Sequence, residues 1–249
     1  MPMIATFQAP CTAREALVET LIGRAYAVLA PEDVAALCDV DLGALEALAP
    51  GWNALPPDEY LRDGGRYRRR RHGCFVVGPE TVEQTPHRAH YQSQDYNALH
   101  GGLERWFAPI AAETVAAPAW GRVLSAIGAT LRRVRPVDRW FVEAHQFRID
   151  TTDGIGRPTP EGAHRDGVDF VAVFIVDRHA IRGGETRVFD ANGPDGQRFT
   201  LTEPWSLLLL DDTRVIHEST PIQPQPGSGD GHRDTLVLTY RAGGFQSQV

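Results

Sequence analysis

Glu161-Gly162-Ala163-His164-Arg165-Asp166-Gly167 stands just ahead of an unbroken apolar run, Phe170-Val171-Ala172-Val173-Phe174-Ile175-Val176. The run reads as a buried strand. In extended chain, residues i and i+2 project to the same side, so His164 and Asp166 point together into one cavity and Arg165 points away. Farther along, Arg214-Val215-Ile216-His217-Glu218 brings a second histidine on another strand. Two histidines and one carboxylate on one face of a metal, with open positions opposite, are the ligand set of non-haem Fe(II) sites. The metal needs neutral imidazole nitrogens and an ionised carboxylate at about 2.0–2.2 Å. Three protein ligands leave positions for a cosubstrate and for O2.

Taken singly, each element has a plainer explanation. His164 and Asp166 fit a polar turn before a strand, and His217 fits a strand-end histidine bonded to backbone. Their order carries the weight, because it ends in a basic final strand, Arg233 to Arg241. Arg233, Thr235, Val237, Thr239 and Arg241 share one face of that strand. An inward arginine there grips a carboxylate in a two-bond fork. A keto acid held at its far end in this way reaches the metal with its keto and carboxylate oxygens, which is the shape of 2-oxoglutarate. Parity alone does not separate Arg233 from Arg241.

The surrounding chain reads as a helical layer followed by many short strands. Residues 1–50 read as helical. Thr12-Ala13-Arg14-Glu15 has the form of a capping box. Leu17, Leu21, Ile22 and Ala25 fall on one helical face. Pro31-Glu32-Asp33 opens a second helix, with Val34, Leu37 and Cys38 on its buried side. Residues 119–134 form an amphipathic helix burying Trp120, Val123, Leu124, Ile127 and Leu131. Strands become dense from about residue 139, and Asn192-Gly193-Pro194-Asp195-Gly196 is a strong turn between two of them. A β-sandwich or barrel with helices on one side follows, with no linker that divides residues 1–249.

Bulk properties restrict the function. The 249 residues are 42% hydrophobic and 23% charged, with a formal charge of −7. An acidic balance argues against a nucleic-acid partner. No apolar run approaches the roughly 18–20 residues of a membrane span, and the N-terminus lacks a basic-then-apolar leader. Cys11, Cys38 and Cys74 are few and widely spaced, which suits a reducing, cytoplasmic setting. A homo-oligomer is compatible with all of this.

Arg66-Tyr67-Arg68-Arg69-Arg70-Arg71-His72 is the one basic cluster. It reads either as a solvated edge strand or loop, or as the source of one arginine facing a substrate carboxylate. Tyr91, Gln92 and Ser93 offer directional hydrogen bonds to a small polar substrate. His87 and His90 lack a partner at helpful spacing and are not read as ligands. Glu143, His145 and Phe147 share a parity, so His145 faces the cavity without ligating. Arg148 is a further candidate for a substrate carboxylate, and Glu143 or Glu161 for an ammonium. Asp211 and Asp212 lie at a turn, where one of them bonds loop backbone or supports His217.

The chain resembles the bacterial 2-oxoglutarate/Fe(II)-dependent amino-acid dioxygenases of the isoleucine dioxygenase type. The likeness is carried by Glu143-Ala144-His145-Gln146-Phe147-Arg148, Pro158 to Gly167, Gly183-Gly184-Glu185-Thr186 and Leu210 to Glu218. It covers roughly residues 60–242 and is specific through 143–241. The resemblance implies a double-stranded β-helix (jelly-roll) core in an α+β chain, with strands at about 139–242. It implies Fe(II) on His164, Asp166 and His217, and 2-oxoglutarate on a basic residue of the last strand, placed on Arg233 with Arg241 second. It also implies hydroxylation of a free aliphatic amino acid, leucine-, isoleucine- or methionine-like, with release of succinate and CO2. The competing reading is a zinc-type or non-catalytic cupin that uses the same three ligands.

Overall fold

The computed structural model describes residues 7–97, 99 and 101–247. The stretch Met1 to Thr6, part of the N-terminal segment expected to lack a leader, lies outside them. Helices α1 (Leu17–Arg24), α2 (Pro31–Leu37) and α3 (Leu42–Glu46) flank strand β1 (Tyr26–Leu29). Strands β2 (Arg68–Val77) and β3 (Val82–Gln84) precede helices α4 (Ala112–Ala116) and α5 (Pro118–Val134). Nine more strands follow: β4 (Trp140–Asp150), β5 (Phe170–His179), β6 (Ile181–Gly183), β7 (Thr186–Asp190), β8 (Gly196–Phe199), β9 (Leu207–Asp211), β10 (Val215–Ser219), β11 (Ile222–Pro224) and β12 (His232–Arg241).

Seven strands form one sheet in the order β1-β9-β5-β12-β4-β2-β3. A three-stranded sheet, β10-β7-β8, and a pair, β11-β6, make up the remainder. The strand pairings are antiparallel. The chain is thus a mixed α+β fold dominated by antiparallel sheet, as a jelly-roll core requires.

Alternation along β12 explains the layering. Leu236, Leu238 and Tyr240 face outward and are buried in the core shared with α1, α2 and α5. Arg233, Thr235, Val237, Thr239 and Arg241 face inward and line a cavity. A second apolar cluster, including Val171, Ile175, Val188, Leu208, Leu210 and Val215, fills the space at the β9 side of the inner face. Trp140 Nε1 donates to Gly128 O at 3.1 Å and Tyr240 Oη to Leu124 O at 3.0 Å, so two large rings of the sheet are tied to α5. Trp52 Nε1 donates to Thr235 O at 3.1 Å.

The amphipathic helix is present as read, with Trp120, Val123, Leu124, Ile127 and Leu131 all buried. The Asn192-to-Gly196 turn joins the hairpin β7-β8. The N-terminal layer differs from expectation in three places. Tyr26-Ala27-Val28-Leu29 is not helical; it pairs with Leu207–Leu210 as an edge strand. Four apolar residues fit either period, and the vacant edge of β9 decides for strand. Thr12 does not cap a helix: its N–H goes to Val28 O, and Glu15 accepts from Arg14 instead. Ile22 is 52% exposed, because α1 ends two residues later at Arg24, is capped by Ala25 with φ 63°, and buries only Leu17 and Leu21.

Leu131 is fully buried. Leu131→Ala is expected to cost about 2–5 kcal/mol in urea unfolding, whereas Ile22→Ala stays within about 0.5 kcal/mol.

Candidate metal centre and substrate cavity

His164 and Asp166 lie on a loop, not within a strand. Gly162 and Gly167 bracket them with φ of 80° and 76°, a conformation that favours glycine. His164 nevertheless makes a two-way backbone bridge to His217 on β10, with both N–H···O contacts at 3.0 Å. The bridge brings the three candidate ligands together. His217 Nε2 is 3.3 Å from Asp166 Oδ2, and His164 Nε2 is 3.9 Å from Asp166 Oδ1. One ligand atom from each of the three residues lies within 4.8 Å of the others.

Supporting contacts fix this face. His164 Nδ1 donates to Gly162 O at 2.9 Å, which leaves Nε2 with a free lone pair for a metal. Asp212, fully buried, accepts the backbone N–H groups of Asp166, Gly167 and Val168 at 3.0, 2.8 and 3.1 Å. Of the two turn aspartates, Asp212 is the one that holds the ligand loop, while Asp211 bonds Thr213. Arg165 points away and donates to Asp212 O. Burial works against the Asp166 charge, but bonding to His217 and the charge of His164 hold its carboxyl well below the usual range. Burial and the charge of Asp166 raise Asp212.

The other sequence-selected residues divide between cavity and outside. Tyr91, Gln92, Glu143, Glu161, Arg233 and Arg241 line the cavity. Gln92 does so as a support for the metal face: its Nε2 donates to Asp166 Oδ1 at 3.1 Å. Its Oε1 accepts from Asn97 and Arg105, each at 3.2 Å. Ser93 does not line the cavity, although its Oγ is buried without a hydrogen bond. Arg148 is likewise outside; its parity is opposite to that of Phe147, and it grips Asp234 at 2.8 and 2.6 Å.

The two arginines of β12 sit in different surroundings. Arg233 is 4% exposed, and its Nε has no partner. A register shift between Asp234 and Thr235 sets it opposite Arg178. Burial, then the Arg178 charge, lower it to about 9. Arg241, at the other end of the strand, donates to Gly244 O at 3.0 Å.

The basic run of β2 contributes more than its sequence revealed. Arg68 and Arg70 turn inward and are buried, while Arg69 and Arg71 turn outward. Arg68 pairs with Asp58 at 2.7 Å. Arg70 is held between Phe107 and Phe147, with ring centroids 3.7 and 4.5 Å from its guanidinium carbon. Beside them lies a buried group that sequence reading had left apart: His72, His90, Glu143 and His145. Cross-strand register places His72 beside His145 and Cys74 beside Glu143. The period-two alternation of Arg68, Arg70 and His72 was present in the sequence, but four consecutive arginines concealed it.

The donor set fits a divalent iron, and a buried, unpaired Arg233 in the same cavity fits a cosubstrate carboxylate. An antiparallel sandwich with a two-histidine, one-carboxylate face is the framework of a non-haem iron oxygenase. The 2OG-Fe dioxygenase family model matches residues 49–239, and the chain belongs to that family. Fe(II), 2-oxoglutarate and O2 are therefore its cofactor and cosubstrates. A bsmA homologue from Methylobium petroleophilum PM1 is 51% identical, with a TM-score of 0.92 over 97% of this chain and 98% of that one. Two more distant structures share the fold. IDO from Bacillus thuringiensis is 18% identical with a TM-score of 0.75, over 92% of this chain and 99% of that one. The Fe(II)/α-ketoglutarate-dependent dioxygenase TqaL is 21% identical with a TM-score of 0.71, over 92% and 86%. No curated protein sequence matches the chain significantly.

Asp212→Asn weakens the hold on the ligand loop. It is expected to lower iron affinity about 10–100-fold, measured by competition with a chelator, while the far-ultraviolet circular dichroism is retained.

Proposed function

We propose that the protein hydroxylates a free aliphatic L-amino acid at the expense of 2-oxoglutarate, with His164, Asp166 and His217 holding the iron. The iron and its cosubstrate, when bound, supply the oxidising chemistry. The protein's residues bind, orient and shield. One observation carries the substrate class: among the charged cavity residues with buried, unpaired atoms, Glu161 (Oε2) is the anion and Arg105 (Nε) a cation that does not share Asp58 as Arg68 and Arg70 do. Buried polar atoms without partners are costly. An ammonium and a carboxylate on one small molecule satisfy both at once. Arg105 is within electrostatic reach of Glu161 and Glu143.

Apolar walls support an aliphatic side chain. Phe141 and Phe245 meet edge to face at 5.2 Å, and Val168, Val171 and Val237 line the same cavity. Arg233 is the proposed seat of the distal carboxylate of 2-oxoglutarate, because its guanidinium is buried and incompletely bonded; Arg241 already serves the backbone of Gly244. Cys38 and Cys74 are buried and Cys11 is exposed, all three as free thiols, which is in keeping with a proposed cytoplasmic setting. Among the described residues no helix is long and apolar enough to cross a membrane.

A panel of free amino acids with Fe(II), ascorbate and 2-oxoglutarate tests the reading. Aliphatic members are expected to accelerate succinate formation and to gain one oxygen by mass; a flat response across the panel removes the substrate class. His164→Ala and Asp166→Ala are expected to abolish turnover in a folded protein. Arg233→Ala is expected to raise the 2-oxoglutarate requirement at least about tenfold, as loss of a charged hydrogen bond implies. If Arg241→Ala has that effect instead, the cosubstrate lies at the other end of β12.

A further inference from the structure

His72, His90, Glu143 and His145 present ligand atoms within 4.8 Å of one another, the spacing of a metal site. Their hydrogen bonds argue for a different arrangement. Arg70 NH2 lies 2.8 Å from His145 Nδ1. A guanidinium only donates, so Nδ1 accepts and the proton of neutral His145 sits on Nε2, 3.7 Å from Glu143 Oε2. Arg70 is clamped between two rings. A fixed cation against one candidate ligand opposes a dication at this position.

The remaining contacts complete a cradle for an anion. His72 Nε2 donates to Glu143 Oε2 at 3.2 Å, and His90 Nδ1 donates to the same oxygen. Three imidazole N–H groups therefore converge on one carboxylate oxygen. Burial keeps the rings neutral: His72 is lowered, His90 is lowered to about 4 and His145 lies well below the ordinary value. Burial works against the Glu143 charge, but the N–H groups donated by His90 and His72 hold its carboxyl well below the usual range.

His90 differs from its neighbours in what remains open. With Nδ1–H committed to Glu143, its Nε2 carries a lone pair. That nitrogen makes no hydrogen bond among the described residues, and it is not among the fully buried unpaired atoms. His90 lines the cavity together with Gln92, Arg105 and Glu161, and it is close enough to influence the Asp166 charge. We propose that His90, oriented and polarised by Glu143, accepts a hydrogen bond from the substrate's ammonium group through Nε2. Glu143 acts as a positioning residue, and Glu161 supplies the ammonium's compensating charge. The inference rests on the amino-acid reading above and names which nitrogen recognises the amine.

Four proteins and two ligands test it. The ligands are the best amino acid of the panel and its analogue lacking the amine, and binding is measured calorimetrically without oxygen in the presence of Fe(II) and 2-oxoglutarate. His90→Phe keeps a ring of similar size without nitrogen; His90→Gln returns an acceptor near the Nε2 position. The expected result is a 10–100-fold loss of amino-acid affinity in His90→Phe, roughly the value of a charged hydrogen bond. Recovery in His90→Gln and no change for the amine-free analogue are expected with it. Nitrogen-15 spectra of the wild-type protein are expected to show His90 protonated on Nδ1 alone. The proposal is overturned if His90→Phe binds the amino acid within twofold of wild type, if both ligands weaken equally, or if His90 carries its proton on Nε2. It is also overturned by a second metal per chain that is lost in Glu143→Gln. If the wild-type protein itself binds no amino acid, the substrate reading falls first and takes this receptor with it. Calorimetric 2-oxoglutarate binding separates a folded variant from a damaged one.

Discussion

Opposite faces of one strand serve opposite solvents in this protein. β12 lies in the middle of the seven-stranded sheet, hydrogen-bonded to β4 and β5 along its length. Its pleat sends Leu236, Leu238 and Tyr240 into the layer under the helices and Arg233, Thr235, Val237, Thr239 and Arg241 into the cavity. A slip of one residue exchanges the two sets. It would bury two arginines among Trp140, Phe170 and Ile127 while opening the core to the cavity. The apolar outer face is what makes the polar inner face affordable, because the helices exclude water from one side only. The metal face depends on the same constraint at second hand, since His217 and the loop that holds Asp166 pack across the cavity from this strand.

Much of this was legible in the sequence. Strand parity gave the inward set on β12, and it gave Glu143, His145 and Phe147 on β4. The placement of His164, Asp166 and His217 followed from the order of the motifs, although the first two lie on a loop held by Asp212 and two positive-φ glycines. Parity also opposes Arg148 to Phe147, and the structure sets Arg148 against Asp234. What was not legible depended on contacts between distant segments. Gln92 supports Asp166 across 74 positions of sequence, and no local pattern marks a glutamine for that role. Tyr26 to Leu29 is too short to declare a period, and its state is decided by β9.

The basic run is the instructive case. Arg68 to Arg71 has one composition and two environments. Read as a charge cluster, it suggests a solvated edge. Paired with β4, its even-numbered members are forced inward, and they are stable there only because the fold brings each an answer. Asp58 answers Arg68, and two phenylalanine faces with the His145 nitrogen answer Arg70. Those answers come from residues 58, 107, 145 and 147, none of them local to the run. Composition thus described the outward half of the strand correctly and missed the inward half.

The same accounting bears on what the cavity accepts. Asp58 balances one of the two inward arginines of β2 and shares in the other, Glu143 is wrapped in imidazole N–H groups, and Asp166 belongs to the metal face. Arg233, Arg105 and Glu161 retain unmatched atoms, as do Arg68 at NH2 and Arg70 at Nε, although those two already share Asp58. On the proposed reading, a dianionic cosubstrate meets Arg233 and the iron, leaving one cation and one anion. A zwitterion adds no net charge and meets both. A simple amine would leave Arg105 unanswered, and a dicarboxylate would press an anion against Glu161; a buried, unpaired charge of either kind costs several kcal/mol. If the substrate is a free amino acid, as proposed, its selection rests on the charges the protein leaves unsatisfied, and the apolar walls of Phe141 and Phe245 are left to choose among side chains.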